Sequence, residues 1–243
     1  MTGLGARARR WLEIGVALLA LAAALHGIAF FELHRLQPTP ALTDLPLAVS
    51  LAAWLLVLSF LALQLRLRTR ALAVLVAPAA FLGTVFAAFS AAAPGDTESG
   101  SALWSHLHVL LASGGFALLG VAGAAGALYL VHHRAIKSKR RIAPQSALPS
   151  LENLDRANAL ASALGFLFLS LGVVTGVLWV ETREGRLWPG GLHANATLAV
   201  WLVYAGLIGA RFATKQGARQ SALGAATGFA LLLVVVIGIG ALR

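Results

Sequence analysis

"SHLHVLLASGGFALLGVAGAAGALYLV", residues 105–131, decides the fold. It carries no charged residue, and at about 1.5 Å per residue it is long enough to cross the roughly 30 Å hydrocarbon layer of a bilayer. Two histidines sit in its first turns and small residues recur behind them. Six further stretches share its apolar character, giving expected spans at 11–31, 46–65, 71–92, 104–131, 157–180, 192–212 and 220–241. The reading is all-α: a polytopic transmembrane bundle of about seven spans in one membrane domain, 1–243, set in the lipid bilayer. Composition agrees, since 59% of the 243 residues are hydrophobic and only 12% are charged.

The net charge of +10 suggests nucleic acid until its distribution is read. Fifteen of the 19 lysines and arginines fall in the N-terminal segment, the loop of Arg66 to Arg70, the connection 132–156 and the turn of Arg211 to Arg219. These alternate with connections that hold few basic residues and the acidic stretch "PGDTESG", 94–100. By the positive-inside rule the N-terminus and the loop 132–156 are cytoplasmic and the C-terminus faces outward. A multi-pass protein of the bacterial cytoplasmic membrane fits this pattern; a nucleic-acid binder needs its cations on one soluble face. The basic start and apolar run at the N-terminus read as a retained first span rather than a cleaved signal, because the run is long and lacks a small-x-small cleavage site. With no cysteine, the chain forms no disulfide and offers no thiolate to a metal or a haem vinyl group.

Small residues indicate how the helices meet. One face of the fourth span runs from His108 through Ala112, Gly115, Ala122 and Gly126, interrupted by Leu119, and the fifth offers Gly165, Gly172 and Gly176 at similar spacing. Such stripes let backbones approach closely in lipid, so His108 is expected to face protein.

Of seven histidines, His132 and His133 end the fourth span beside basic residues, where solvation accounts for them. His26 stands five residues before Phe31, and His108 four residues after Trp104, each near the outer end of its span. Both imidazoles therefore lie about 6 to 8 Å beneath the outer edge. Ionisable groups at such depth are functional candidates, whereas His34, His106 and His193 lie closer to the surface and hydrate readily. Two neutral imidazoles at one level suit a cofactor held from opposite sides. Zinc normally takes three or four ligands, and this rim offers no cysteine or carboxylate at span depth; haem iron asks for only one or two axial residues. Trp104, Trp179 and Trp188 gather at this face, either to stack on a porphyrin or simply as interfacial aromatics. In the sixth span His193, Thr197 and Tyr204 recur at helical spacing beside Trp201, which lines a haem crevice or forms interhelical hydrogen bonds.

The chain resembles the CcsA-type cytochrome c assembly proteins, with the HemX and YpjD membrane proteins as the nearer likeness. The resemblance lies in "ALHGIAFFELHRLQPTPALTDLPLAVSLAAWLL", in "LWSHLHVLLASGGFALLGVAGAAGALYLV", and most specifically in "LPSLENLDRANALASALGFLFLSLGVVTGVLWV", completed by "TLAVWLVYAGLIGARF" and "GARQSALGAATGFALLL". It implies that membrane histidines bind haem and that a tryptophan-rich outer segment presents it to apocytochrome c. By position His26 matches the family's first membrane histidine, His108 the histidine before its tryptophan loop, and His193 a histidine opening the sixth-span motif. The chain also departs from the pattern: "REGRLWPGGLHAN" keeps Gly185, Arg186 and Trp188 but no following Trp-Asp-Pro. Gly209 stands where CcsA proteins carry another membrane histidine, and the chain is expected to lack the distal extension and the preceding span of that family.

The resemblance implies a haem-handling protein that holds haem b non-covalently between His26 and His108 as axial ligands, with His193 and Trp188 nearby, and that works in cytochrome c assembly. Bond formation at the vinyl groups then falls to apocytochrome c and a second assembly subunit, the chain being at most one component of a haem lyase. The HemX likeness implies an alternative, regulation of tetrapyrrole synthesis through glutamyl-tRNA reductase docked on the basic loop 132–156. A small-solute transporter is disfavoured, since the chain has neither inverted repeats nor acidic residues within its spans.

Overall fold

The computed structural model describes residues 3–35, 42–90, 102–139, 149–188 and 190–241. The side chain of His34, the acidic stretch 94–100, and Arg140 and Arg141 lie outside the described residues. Seven helices are long and apolar enough to cross a membrane: α1 (Gly3–Arg35), α2 (Leu45–Leu67), α3 (Ala73–Ser90), α4 (Ala102–Lys137), α5 (Leu151–Glu184), α6 (Gly191–Ala213) and α7 (Ala218–Ala241). A short 3₁₀ turn, Arg70–Leu72, leads into α3, and no strand occurs among the described residues.

The helices outrun the apolar runs that the sequence marks, because polar turns extend them. At the start of α5 the Ser150 hydroxyl accepts the Asn153 N–H at 3.1 Å, capping the helix, and Glu152 pairs with Arg156 one turn later at 2.6 Å. The same helix ends at Gly185, whose φ of 66° is the left-handed conformation glycine adopts without strain; its N–H bonds the Glu181 carbonyl at 2.9 Å. α4, with 36 residues, is about 54 Å long and so projects well past the hydrocarbon.

α4 is the axis of the bundle: 72% of its most apolar window is buried, against 6% for α1. It lies antiparallel to α5 and α7 on two different faces. Toward α5, an added Cβ at Gly115 would stand 2.7 Å from the Leu169 nitrogen, and one at Gly165 would stand 2.8 Å from Leu119 Cγ. Toward α7, a Cβ at Gly126 would meet the Ala222 carbonyl at 2.5 Å, and one at Gly123 would meet Phe229 Cβ at 2.7 Å. Between α4 and α5 the stripes expected from the sequence bring the helix backbones into direct contact, whereas Gly126, expected on the same stripe, comes closest to Ala222 of α7. In lipid this supplies dispersion and shape where hydrophobicity supplies no attraction between helices.

Polar groups fix the helices against one another. Asn158, fully buried on α5, donates from Nδ2 to the Ala122 carbonyl of α4 at 3.0 Å, and its Oδ1 accepts from Arg211 of α6 at 3.4 Å. Arg211 also pairs with Asp155 at 2.8 Å, so α4, α5 and α6 are joined at one level. Peripheral α1 is held by Trp54 of α2, whose indole N–H donates to the Ala23 carbonyl at 2.8 Å, and by Glu13 paired with Arg70 at 2.5 Å. The starts of α1, α3, α5 and α7 thus share one end with the finishes of α2, α4 and α6, and that end collects most of the basic residues.

Gly115→Ala forces α4 and α5 apart and is expected to cost about 1–3 kcal/mol, read as a lowered unfolding midpoint in detergent. Gly206→Ala, with open space at its Cβ, is expected to be neutral or slightly stabilising.

Candidate functional site

The end opposite the basic one carries the candidate histidines His26, His108 and His193. His108 lies in the first turns of α4 and faces α5, because Gly176 leaves it room: a Cβ there would stand 2.8 Å from His108 Nδ1 and 2.9 Å from Cε1. The ring hydrogen-bonds through Nδ1 to the Gly172 carbonyl at 2.8 Å. A carbonyl only accepts, so Nδ1 carries the proton, and in the neutral ring Nε2 keeps an unshared pair. The Thr175 hydroxyl donates a three-centre bond to the same Gly172 carbonyl and to the Leu171 carbonyl, at 3.0 and 2.8 Å. Trp179, one turn beyond Gly176 on α5, stacks on His108 with centroids 6.0 Å apart and planes inclined by 27°. The Arg183 guanidinium lies over the same indole, 5.9 Å from its centroid. Imidazole, indole and guanidinium follow one another outward along the α4–α5 interface.

His26 has a separate setting on the α1–α2 interface. Its Nε2 is 2.9 Å from the Ser50 hydroxyl, which both donates and accepts, so this bond admits either tautomer of the ring. Phe30 stacks on His26 at 5.2 Å, nearly parallel, and Trp54 closes the group at 6.4 Å. An apolar groove of about 480 Å³ runs beside this group, lined by Gly27, Phe31 and Trp54 but not by His26 itself. No contact described joins His26 to His108: one is held by α2, the other by α5.

The remaining expected residues are elsewhere. His193 is exposed in the first turn of α6, and its carbonyl accepts the Thr197 hydroxyl at 2.9 Å. Trp188, in the segment between α5 and α6, donates its indole N–H to Asn195 Oδ1 at 3.3 Å. The polar stripe of α6 divides: Trp201 reaches α5 by donating to Ser170 Oγ at 2.9 Å, while Tyr204 is buried, with its hydroxyl unpartnered, beside Gly228 of α7. Among the described residues no group of three or more histidines, cysteines or carboxylates gathers as it would around a bare metal ion. Sequence reading missed Ser50, which lies on a helix face with no pattern to single it out. It also counted Arg211 only as a topogenic charge, although Asp155 and Asn158 at successive positions of one α5 face were a signal for a paired partner.

Chemically, the α4–α5 site offers one oriented nitrogen ligand with its other ring nitrogen anchored on a backbone carbonyl, the arrangement that fixes tautomer and basicity at metal and haem centres. That donor set fits haem, whose porphyrin supplies the other four ligands.

Gly176→Ala is expected to displace the His108 ring from Gly172 and Trp179. Tryptophan fluorescence in detergent should change its emission maximum, and the unfolding midpoint should fall as for an overpacked site, by about 1–3 kcal/mol.

Comparison with known proteins places these residues in context. Residues 43–243 match the family described as Cytochrome C assembly protein; α1 and His26 lie outside the matched region. Similar curated proteins are named cytochrome c biogenesis protein CcsA. That of Prochlorococcus marinus (strain MIT 9303) is 32% identical over 95 residues, 39% of this chain and 30% of the relative. Those of Chlamydomonas reinhardtii and Synechocystis sp. are 26% identical over 172 residues (68% and 47% of the two chains) and 28% identical over 126 (52% and 37%). The chain thus spans less than half the length of these relatives. The likeness to HemX and YpjD gains no support from them.

Proposed function

Since the chain belongs to the cytochrome C assembly protein family, we propose that it is a haem-handling membrane protein of cytochrome c assembly, with His108 as an axial ligand to non-covalent haem b. The observation that carries this reading is the His108 Nδ1–Gly172 carbonyl bond, which leaves Nε2 as the ligand atom. His108 is oriented by that bond, Gly176 gives it space, and Trp179 stacks on one side of the ring. Haem bound there would supply the ring that an apocytochrome receives. The thioether bonds belong to the apocytochrome's cysteines and a second assembly subunit, because this chain has no thiol.

His26 is a weaker candidate for the second axial position. Its Nε2 is engaged by Ser50 on a different interface, so ligation through that atom would require Ser50 to let go. Trp188 and His193 are reserved for contacts with the arriving apocytochrome at the same end of the bundle. The regulatory reading through glutamyl-tRNA reductase is not adopted, since it rests on the HemX likeness and on a loop of which residues 140–148 lie outside the description.

The purified protein, as isolated or after addition of haemin, is expected to show a Soret band that His108→Ala reduces at least tenfold in occupancy, in line with loss of a metal ligand. His26→Ala is expected to leave most of it. A protein that stays colourless with added haemin, or a band indifferent to His108→Ala, overturns the assignment.

The proposed orientation puts the basic end in the bacterial cytoplasm. The cysteine-free chain allows a direct check: in intact cells a membrane-impermeant maleimide is expected to label Glu184→Cys and not Ser138→Cys.

A further inference from the structure

At the basic end, between the last turns of α4 and the first turns of α7, lies a cavity of about 830 Å³. His133, Arg134 and Lys137 line it from α4 and Arg219 from α7, and no carboxylate is among its lining residues. Three other arginines at this end of the bundle are paired with carboxylates: Arg70 with Glu13, Arg156 with Glu152, Arg211 with Asp155. The four cavity residues make no ion pair among the described residues. His133 is additionally held in place, stacked on Tyr129 at 5.9 Å with planes 9° apart.

The cavity has a second kind of wall. Leu130, Val131 and Leu223 line its deeper side, and Val131 and Leu223 are about half exposed on helix faces that cross the membrane. A ligand matching both walls has an anionic head at the level of the helix ends and an apolar portion along the hydrocarbon. We propose that this cavity is a binding site for an anionic phospholipid, its phosphate held by Arg134, Lys137, Arg219 and His133 and its acyl chains lying on Leu130, Val131 and Leu223. A free inorganic phosphate shares the charge chemistry but leaves the apolar wall uncovered and most of the volume empty. Basic recesses between membrane helices at this level are where anionic head groups bind. The site is independent of the haem reading, being at the opposite end of α4 from His108.

The test uses the full chain in neutral detergent, titrated with phosphatidylglycerol and followed by native mass spectrometry and thermal unfolding. Phosphatidylglycerol is expected to bind and raise the unfolding midpoint, with phosphatidylcholine at least tenfold weaker. Lys137→Gln and Arg219→Gln are each expected to weaken phosphatidylglycerol binding about fivefold, as loss of one cation near an anionic surface does. Arg219→Lys should keep the affinity, which separates loss of charge from misfolding, and Arg156→Gln, at the same end but outside the cavity, should leave it unchanged. Equal binding of phosphatidylcholine, or affinity unchanged in both glutamine variants, overturns the site. Displacement of the lipid by equimolar inorganic phosphate overturns the lipid assignment in favour of the free anion.

Discussion

Contact between the backbones of α4 and α5 is the constraint on which the other features rest. Gly115, Gly165 and Gly172 remove the side chains that would hold the helices apart, and Gly176 removes the one that would occupy the space of His108. Only at that separation does the imidazole reach the Gly172 carbonyl, so the tautomer of a candidate ligand is set by helix packing. Packing and chemistry are the same interaction seen at two depths of one interface.

The polar side chains within the spans follow a common rule. Each described donor that crosses between helices ends on a specific oxygen: Trp54 on Ala23, Trp201 on Ser170, Asn158 on Ala122. Individually such bonds contribute about 0.6 kcal/mol between membrane helices, too little to hold the bundle, but they select rotation and register among helices whose apolar surfaces are interchangeable. The Arg211–Asp155–Asn158 group does this for three helices at once. Among the described residues the buried Tyr204 and Ser221 hydroxyls and His132 Nδ1 make no hydrogen bond.

Much of the fold was legible in the sequence because the bilayer leaves few choices: a long apolar run must satisfy its own backbone, so it becomes a helix. All seven expected spans fall within the observed helices or overlap them closely, and the error lies at the ends, where Ser150 and Gly185 extend α5 by cap chemistry that hydropathy does not register. The glycine stripe and the inward face of His108 were also readable, since period and residue size suffice for both. The relation between His26 and His108 was not. Equal depth along two helices says nothing about which neighbour each helix faces, and that choice is made by Ser50, Trp54, Gly172 and Gly176, residues whose partners are remote in sequence.

The loosely held first helix has a consequence for biosynthesis. α1 leaves the ribosome ahead of the segments that supply Ser50, Trp54 and Arg70. During that interval His26 lacks Ser50 and Trp54, and Glu13 has only Arg9 of its own helix to pair with. Full lateral docking of α1 therefore waits until Arg70, at the start of the turn into α3, has emerged.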